Sequence, residues 1–305
     1  MVNRLVKNKL FTALAALFCC ALWGISTPIV KMGYAYTDAA HVPSLLLWVG
    51  LEFVVAGALT ILIYSLVSKR WVAPQKKNLK GVALISLLQT VLQYALLYVG
   101  LLYTTSVKGA ILKSTDVFFV TLIASLIFRM EKLTAKKLIA CVVGFAGIVI
   151  MNLQGLSLNL NPLGDGLVLL AIVAYSFSVV ITKLYAREED PIALSGYQMA
   201  LGGLIMTLLG IGFRGEVDFR GMLPIFVILA LIYGVSYSLW TILLKHNPAS
   251  SVTIFSFMIP VFGVVFSKLL LEEEGGVSPT NLVLALILVC FGILLWGYEK
   301  KEKKV

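Results

Sequence analysis

Apolar residues gather into ten runs of roughly twenty, over positions 10–33, 44–67, 79–102, 107–128, 134–153, 164–185, 192–213, 222–244, 249–271 and 278–297. A helix of about twenty apolar residues matches the ~30 Å hydrocarbon core of a bilayer. Each run therefore predicts a transmembrane helix, here helix 1 to helix 10. The breaks between them hold turn and charge signals: Lys69 to Asn78 with Pro74, Asn159 to Gly166 with Pro162, Glu188 to Pro191, Asn247-Pro248, and Glu272 to Pro279. Ten such helices nearly fill 305 residues, which leaves no length for a soluble domain.

The two halves of the pattern superimpose. At an offset of 152, Trp23, Ser26 and Lys31 fall on Tyr175, Ser178 and Lys183; at 146, Glu52 and Gly57 fall on Gln198 and Gly203. At 143, Tyr94, Leu97, Phe119 and Glu131 meet Tyr237, Trp240, Phe262 and Glu274; at 145, Gly147-Ile148 meets Gly292-Ile293. The offset changes only across loops. Five is odd, so a second copy of five helices enters the membrane upside down. The expected fold is an all-α membrane protein of ten transmembrane helices in two inverted five-helix repeats, residues 10–153 and 164–297. Inverted repeats recur in secondary transporters, where two similar halves exchange conformations around a central site.

Charge adds direction. Only 13% of residues are charged and 60% are hydrophobic, against about 25% charged in soluble proteins. The net charge of +10 is scattered in short clusters between apolar runs, which excludes the basic face of a nucleic-acid binder. With a cytoplasmic N-terminus, nineteen Lys and Arg fall on the cytoplasmic side and four (Lys31, Lys108, Arg214, Arg220) on the outer side, as the positive-inside rule requires. The expectation is a multi-pass protein of the cell (inner or plasma) membrane with cytoplasmic tails at 1–9 and 298–305. Arg4, Lys7 and Lys9 precede helix 1 like the start of a signal peptide. No small-residue cleavage site follows, so helix 1 is expected to be retained.

Metal and cofactor chemistry find no support. Cys19, Cys20, Cys141 and Cys290 all lie in apolar runs as small hydrophobes, and His41 and His246 sit at helix ends on opposite sides. No G-x-x-x-x-G-K loop for nucleotide phosphates occurs.

Four short stretches carry a family likeness: Ala21-Leu22-Trp23-Gly24, Tyr103-Thr104-Thr105-Ser106, Glu131-Lys132-Leu133-Thr134 and Ile259-Pro260-Val261-Phe262-Gly263. In their order, and in the two-times-five layout over 10–297, the chain resembles the EamA-like branch of the drug/metabolite transporter superfamily. The resemblance implies an exporter or exchanger of small metabolites with a central cavity lined by helices 1, 3, 4, 6, 8 and 9. It also implies peripheral helices 5 and 10 that can mediate a homodimer. The chain departs from the family where Val117, preceded by Asp116, matches Pro260, and where Glu52 replaces a frequently basic position.

Charges inside the membrane are functional-site candidates by default. Asp116 lies about nine residues, roughly 14 Å, down helix 4, near the midplane, with Glu52 of helix 2 at similar depth. Lys113 is three residues from Asp116, on its helix face. One reading makes Asp116, with Glu52 and Lys113, the ion-coupling set, Asp116 exchanging a proton during transport. The other pairs Asp116 or Glu52 permanently with Lys113. Lys31, Lys108 and Lys268 lie toward outer helix ends and read as snorkelling anchors.

The uncharged cavity candidates are Trp23 and Ser26, Gln89, Gln93, Tyr94 and Tyr98, Ser114 and Thr115, Tyr175 and Ser178, and Ser236, Tyr237 and Trp240. Single hydroxyls in membrane helices usually act as packing glue. Two amides one turn apart, Gln89 and Gln93, need several partners each and fit a wet cavity. The aromatic residues fit walls around an organic solute. Pro28 and Pro260 loosen backbone bonds in mid-helix, as gating helices require. Ala140, Gly144, Gly147, Gly292 and Gly297 suit close helix packing within the chain.

Secondary transport of a small solute such as an amino acid or related metabolite is the leading function. An intramembrane enzyme would need a nucleophile, base or metal cluster, and no such motif occurs. A non-transporting sensor or assembly subunit is the alternative and needs no polar cavity.

Overall fold

A computed structural model describes residues 8–156, 159, 161–271 and 277–297. Arg4, Lys7, the tail lysines after Gly297, and Glu272 to Glu274 lie outside the described residues. Among those described run ten helices: α1 (Lys9–Gly33), α2 (Val42–Val67), α3 (Lys76–Tyr103), α4 (Val107–Ile127), α5 (Ala135–Met151), α6 (Pro162–Ala186), α7 (Pro191–Gly212), α8 (Phe219–His246), α9 (Ala249–Leu271) and α10 (Pro279–Gly297). Nine are long and apolar enough to cross a bilayer. The tenth, α5, has 17 residues, about 25 Å at the α-helical rise. Polar caps fix where several begin: the side chains of Asn8, Thr134, Asn161, Asp190 and Asp218 accept from the first-turn N–H groups that have no partner within the helix.

The helix contacts carry the internal symmetry. α1 packs on α8 as α6 packs on α3, α1 on α9 as α6 on α4, and α2 on α8 as α7 on α3. The remaining major pairs, α2 with α7 and α5 with α10, map onto themselves when the halves are exchanged. The Lys9 ammonium donates to the Gly297 carbonyl over 2.8 Å, so the chain's first and last helices meet at one face, called here the terminus face. Two inverted five-helix repeats satisfy all of these relations.

Small residues set the self-paired interfaces. A Cβ on Gly57 of α2 would lie 2.4 Å from the backbone nitrogen of Ala200 in α7, so glycine is what lets the two backbones touch. In the other pair a Cβ on Gly147 would meet the Ala285 carbonyl at 2.9 Å, and one on Gly292 the Ala140 carbonyl at 2.8 Å. This is packing inside one chain, while a Cβ on Gly297 would meet nothing within 4 Å.

Two helices that correspond by symmetry are both broken. α4 is interrupted at Ser114–Thr115, where two helical segments, Ser106–Lys113 and Asp116–Leu122, adjoin. α9 tightens into a 3-10 turn over Ile254–Phe257, between Ala249–Thr253 and Met258–Leu271. An offset of 143 places Ser114–Thr115 on Phe257–Met258, at the end of that 3-10 turn. The break separates Lys113 from Asp116: the lysine ends one segment and the aspartate starts the next.

Candidate functional site

Discontinuous helices leave backbone and polar groups available in mid-membrane, where transporter sites form. Here the two breaks flank a cavity of about 490 Å³, bounded by α1, the end of α3, α4, the end of α5 and α9. Thr27 and Lys31 contribute from α1, Lys113, Ser114 and Asp116 from α4, and Ser256, Pro260, Ser267 and Lys268 from α9. Leu97, Leu101, Val107, Ile259 and Val264 make the wall largely apolar. α1 and α9 come this close because Gly24 lies against Phe262, where an added Cβ would be 2.4 Å from the phenylalanine Cβ.

Counting from the face opposite the termini, Lys31 and Lys268 stand two or three residues from their helix ends. Lys113 lies about 9 Å down α4 and Asp116 about 14 Å. The cavity therefore begins between two lysines, passes a third and ends at a carboxylate. Asp116 is buried. One of its oxygens accepts the Val117 N–H at 2.7 Å, since as the first residue of its segment it faces unsatisfied N–H groups. Ser256 stands beside this carboxylate, yet its buried hydroxyl makes no hydrogen bond of good geometry.

The fixed ion pairs allowed by the sequence do not form. Among the described residues, neither Asp116 nor Glu52 lies within salt-bridge distance of a lysine or arginine. Glu52, 1% exposed, instead accepts the Trp48 indole N–H at 2.7 Å. Lys31 and Lys268, expected as interface anchors, are on the cavity wall. Lys108 pairs with Asp165 at 2.5 Å and joins α4 to α6.

Most aromatic candidates gather elsewhere, in a closed cluster between α1, α3 and α8. Trp23 meets Trp240 edge-on at 5.0 Å and Tyr237 at 5.4 Å, and the Tyr94 and Tyr237 hydroxyls are 3.2 Å apart. Tyr98 extends the cluster from Tyr94 at 6.1 Å. Phe53 and Tyr233, which sequence reasoning missed, stack within it at 5.2 Å. Their inward helix faces are the signal, but every face of these helices is apolar. Tyr175 packs against the neighbouring core of α4, α5 and α9.

Hydroxyl candidates bond their own helices: Ser26 to the Trp23 carbonyl, Ser178 to Tyr175, Ser236 to Tyr233, Ser114 to Ala110 and Thr115 to Leu112. Gln89 and Gln93 are buried on α3, Gln89 within a π-helical stretch, Ser86–Leu92, a distortion frequent at functional sites. The Gln93 Oε1 and the indole nitrogens of Trp23 and Trp240 are buried without partners. Such groups are rare in folded proteins. Pro28 is buried inside α1 and removes the bond that would reach the Gly24 carbonyl. Pro260 lies just past the α9 break, on the cavity wall.

The terminus face carries polar contacts that tie α9 to the α4–α5 link and α6 to the end of α8. Ser250 at the start of α9 donates from its backbone N–H and its hydroxyl to the Glu131 carboxylate, which Lys137 also approaches at 3.5 Å. The Lys183 ammonium donates to the carbonyls of Leu244 (2.8 Å) and Asn247, and Lys245 donates to the Glu189 carbonyl at 2.7 Å. Among the described residues the cavity thus ends at Asp116 and Ser256, with these contacts beyond it.

Comparison with known proteins gives a consistent picture. A family model described as the EamA-like transporter family matches residues 10–153 and 162–298. The chain is 24% identical to the Bacillus subtilis protein named uncharacterized transporter YoaV, covering 93% of this chain and 96% of that one. It is 25% identical to uncharacterized transporter YvbV of the same organism, covering 99% and 96%. An Acidianus ambivalens protein named as an uncharacterized transporter is 31% identical over 67% of this chain and 79% of its own length. One solved crystal structure superimposes with a TM-score of 0.75 at 16% identity, covering 94% of this chain and 98% of that one, a likeness of fold.

Proposed function

Because the chain belongs to the EamA-like transporter family, we propose that it is a secondary transporter carrying a small organic metabolite across the cell membrane by alternating access, as an exporter or exchanger. The supporting observation is the cavity: it reaches from one face to a buried carboxylate at mid-depth, while Glu131, Lys183 and Lys245 tie the other face shut. This is one half of an alternating-access cycle. The inverted repeat supplies the other half, since exchanging the two repeats' conformations opens the opposite face. The partnerless Gln93, Trp23 and Trp240 atoms become ligands when the aromatic cluster opens.

The excess of Lys and Arg on the terminus face argues for cytoplasmic termini, so the cavity opens outward in this state. Asp116 couples solute to protons: it is buried, has no fixed cation among the described residues and lies where solute would come to rest. Comparing metabolite efflux from cells with and without the gene identifies the solute. Flux of that solute in proteoliposomes then tests the reading, which fails if the purified protein moves nothing that the cells export through it.

A further inference from the structure

In an inverted repeat each contact has an image, placed by the corresponding elements at the opposite face. A contact that breaks in every alternating-access cycle is made at one face at a time, so its image stands open. A contact whose image is made in the same state has no need to break. α4 and α9 behave in the first way. At the terminus face Ser250 of α9 donates to Glu131, just past α4, while toward the opposite face the cavity lies between Gly109 and Lys113 of α4 and Ser267 and Lys268 of α9.

α2 and α7 behave in the second way. At the face opposite the termini, the α1–α2 link is strapped to the α7–α8 link. Thr37 and Val217 form an antiparallel bridge, the Asp218 N–H donates to the Tyr36 carbonyl at 3.0 Å, and the Glu216 N–H donates to the Ser44 hydroxyl at 2.9 Å. Exchanging the repeats turns these links into the α6–α7 and α2–α3 links, and those are strapped together as well. The buried Glu189 carboxylate accepts the Gln75 N–H at 3.0 Å and the Asn78 side chain at 2.6 Å, and the Gln75 side chain donates to the Glu188 carbonyl at 3.1 Å. The Tyr64 hydroxyl of α2 donates to Asp190, the cap of α7, at 2.7 Å. Between the straps the seam is backbone on backbone: a Cβ on Gly50, Gly57, Gly203 or Gly210 would lie 2.4 or 2.5 Å from a backbone nitrogen of the other helix. A slide by one residue would drive side chains into those backbones.

We propose that the α2–α7 seam with its two straps is the fixed axis of the transport cycle, held in every state, and that the faces open and close by α4 and α9 bending at their breaks, Ser114–Thr115 and Ile254–Phe257. The proposal rests on the transport reading above. Axis and gate differ in chemistry. The seam is direct backbone contact, whereas the Glu131 gate is a carboxylate with hydroxyl and ammonium partners, whose places water can take when the face opens.

Cross-links at the straps and at the gate test this in the full chain with Cys290→Ser, which removes the exposed native thiol. Thr37→Cys/Val217→Cys joins one strap by a disulfide, since antiparallel partners have Cα atoms about 4.5–5.5 Å apart, within disulfide reach. Gln75→Cys/Glu188→Cys at the other strap and Glu131→Cys/Ser250→Cys at the gate are joined by a bis-methanethiosulfonate with a two-carbon spacer. Each protein is linked in detergent and reconstituted, and flux of the solute that the cells export is compared with and without dithiothreitol. A link at either strap should leave flux within about 2-fold of the reduced protein, and the gate link should lower it about 10-fold or more until it is reduced. Either strap decides the matter if the variant at the other fails to fold. A strap link that stops flux reversibly, strap cysteines that no reagent joins, or a gate link that leaves flux unchanged overturns the fixed axis and leaves the transport reading standing. A Cys290→Ser protein that moves none of the exported solute overturns both.

Discussion

Trp48 and Glu52 stand one turn apart on α2, and the indole N–H points at the carboxyl over 2.7 Å, deep in the bundle. Among the described residues this is the only hydrogen bond Glu52 receives, so it fixes the carboxyl as a part of the packing. Trp48→Phe keeps much of the ring volume and removes the donor. It should lower stability in detergent by about 1–3 kcal/mol, the penalty for a buried polar group left unsatisfied. Glu52→Gln keeps an acceptor and should leave transport within a few-fold of wild type. A Glu52→Gln protein that folds but loses its response to a pH gradient would move the coupling role to Glu52.

Close approach of α2 and α7 predicts a second effect. Gly57→Ala forces a methyl into the Ala200 backbone and should destabilise by about 1–3 kcal/mol, as overpacking does. Gly166→Ala, in α6 where an added Cβ would meet nothing within 4 Å, should be neutral or stabilising by up to about 1 kcal/mol through helix propensity. Thermal unfolding in one detergent compares the two.

The latch at the terminus face should bias the conformational equilibrium. Glu131→Gln weakens the bonds from Ser250 and the attraction to Lys137. Hydrogen bonds to charged groups contribute about 1.5–3 kcal/mol, so losing them shifts the two-state balance by about 10-fold or more toward the state open at the terminus face. The readout is the reactivity of a thiol placed on the cavity wall by Thr27→Cys, in a Cys290→Ser background, toward neutral methyl methanethiosulfonate, which should fall. An unchanged reactivity would mean that Glu131 is not part of the closure.

Ten helices, their inversion and the depth of Asp116 are legible from apolar run lengths and charge positions, because the bilayer imposes both. Helix facing is not. Lys31 and Lys268 have the same depth whether they border lipid or a cavity, and only the Gly24–Phe262 contact of α1 with α9 decides it. Lys113 and Asp116 share a face on an unbroken helix. The turn at Ser114–Thr115 interrupts that helix without a proline or glycine to announce it. The aromatic side chains look alike as cavity wall or packed core, and Trp23, Tyr237 and Trp240 are packed together in this state.

Two adjacent glutamates in the α6–α7 loop should behave differently. Glu188 and Lys77 form an exposed pair, with side chains 63% and 62% accessible. The lysine's hydrogen bond and then its charge hold the Glu188 carboxyl below its ordinary value. Whatever stability this gives is present above the ordinary carboxylate range and is lost as pH falls through the lowered value. Solvent screening makes it small, so Glu188→Gln should leave the unfolding midpoint unchanged at neutral pH. Glu189 is buried and accepts from the Asn78 side chain at 2.6 Å and the Gln75 N–H at 3.0 Å. Glu189→Ala should cost about 1–3 kcal/mol, measured by the same unfolding experiment.

Solute passing Asp116, with its movement coupled to protons there, is tested most directly by flux of the exported solute in proteoliposomes. Wild type and Asp116→Asn are compared with and without an imposed pH gradient. Wild-type flux should rise with the gradient. Asp116→Asn, uncharged and of the same shape, should keep solute exchange but lose the gradient's effect. An Asp116→Asn protein with the wild-type rate and the wild-type pH response would contradict the account.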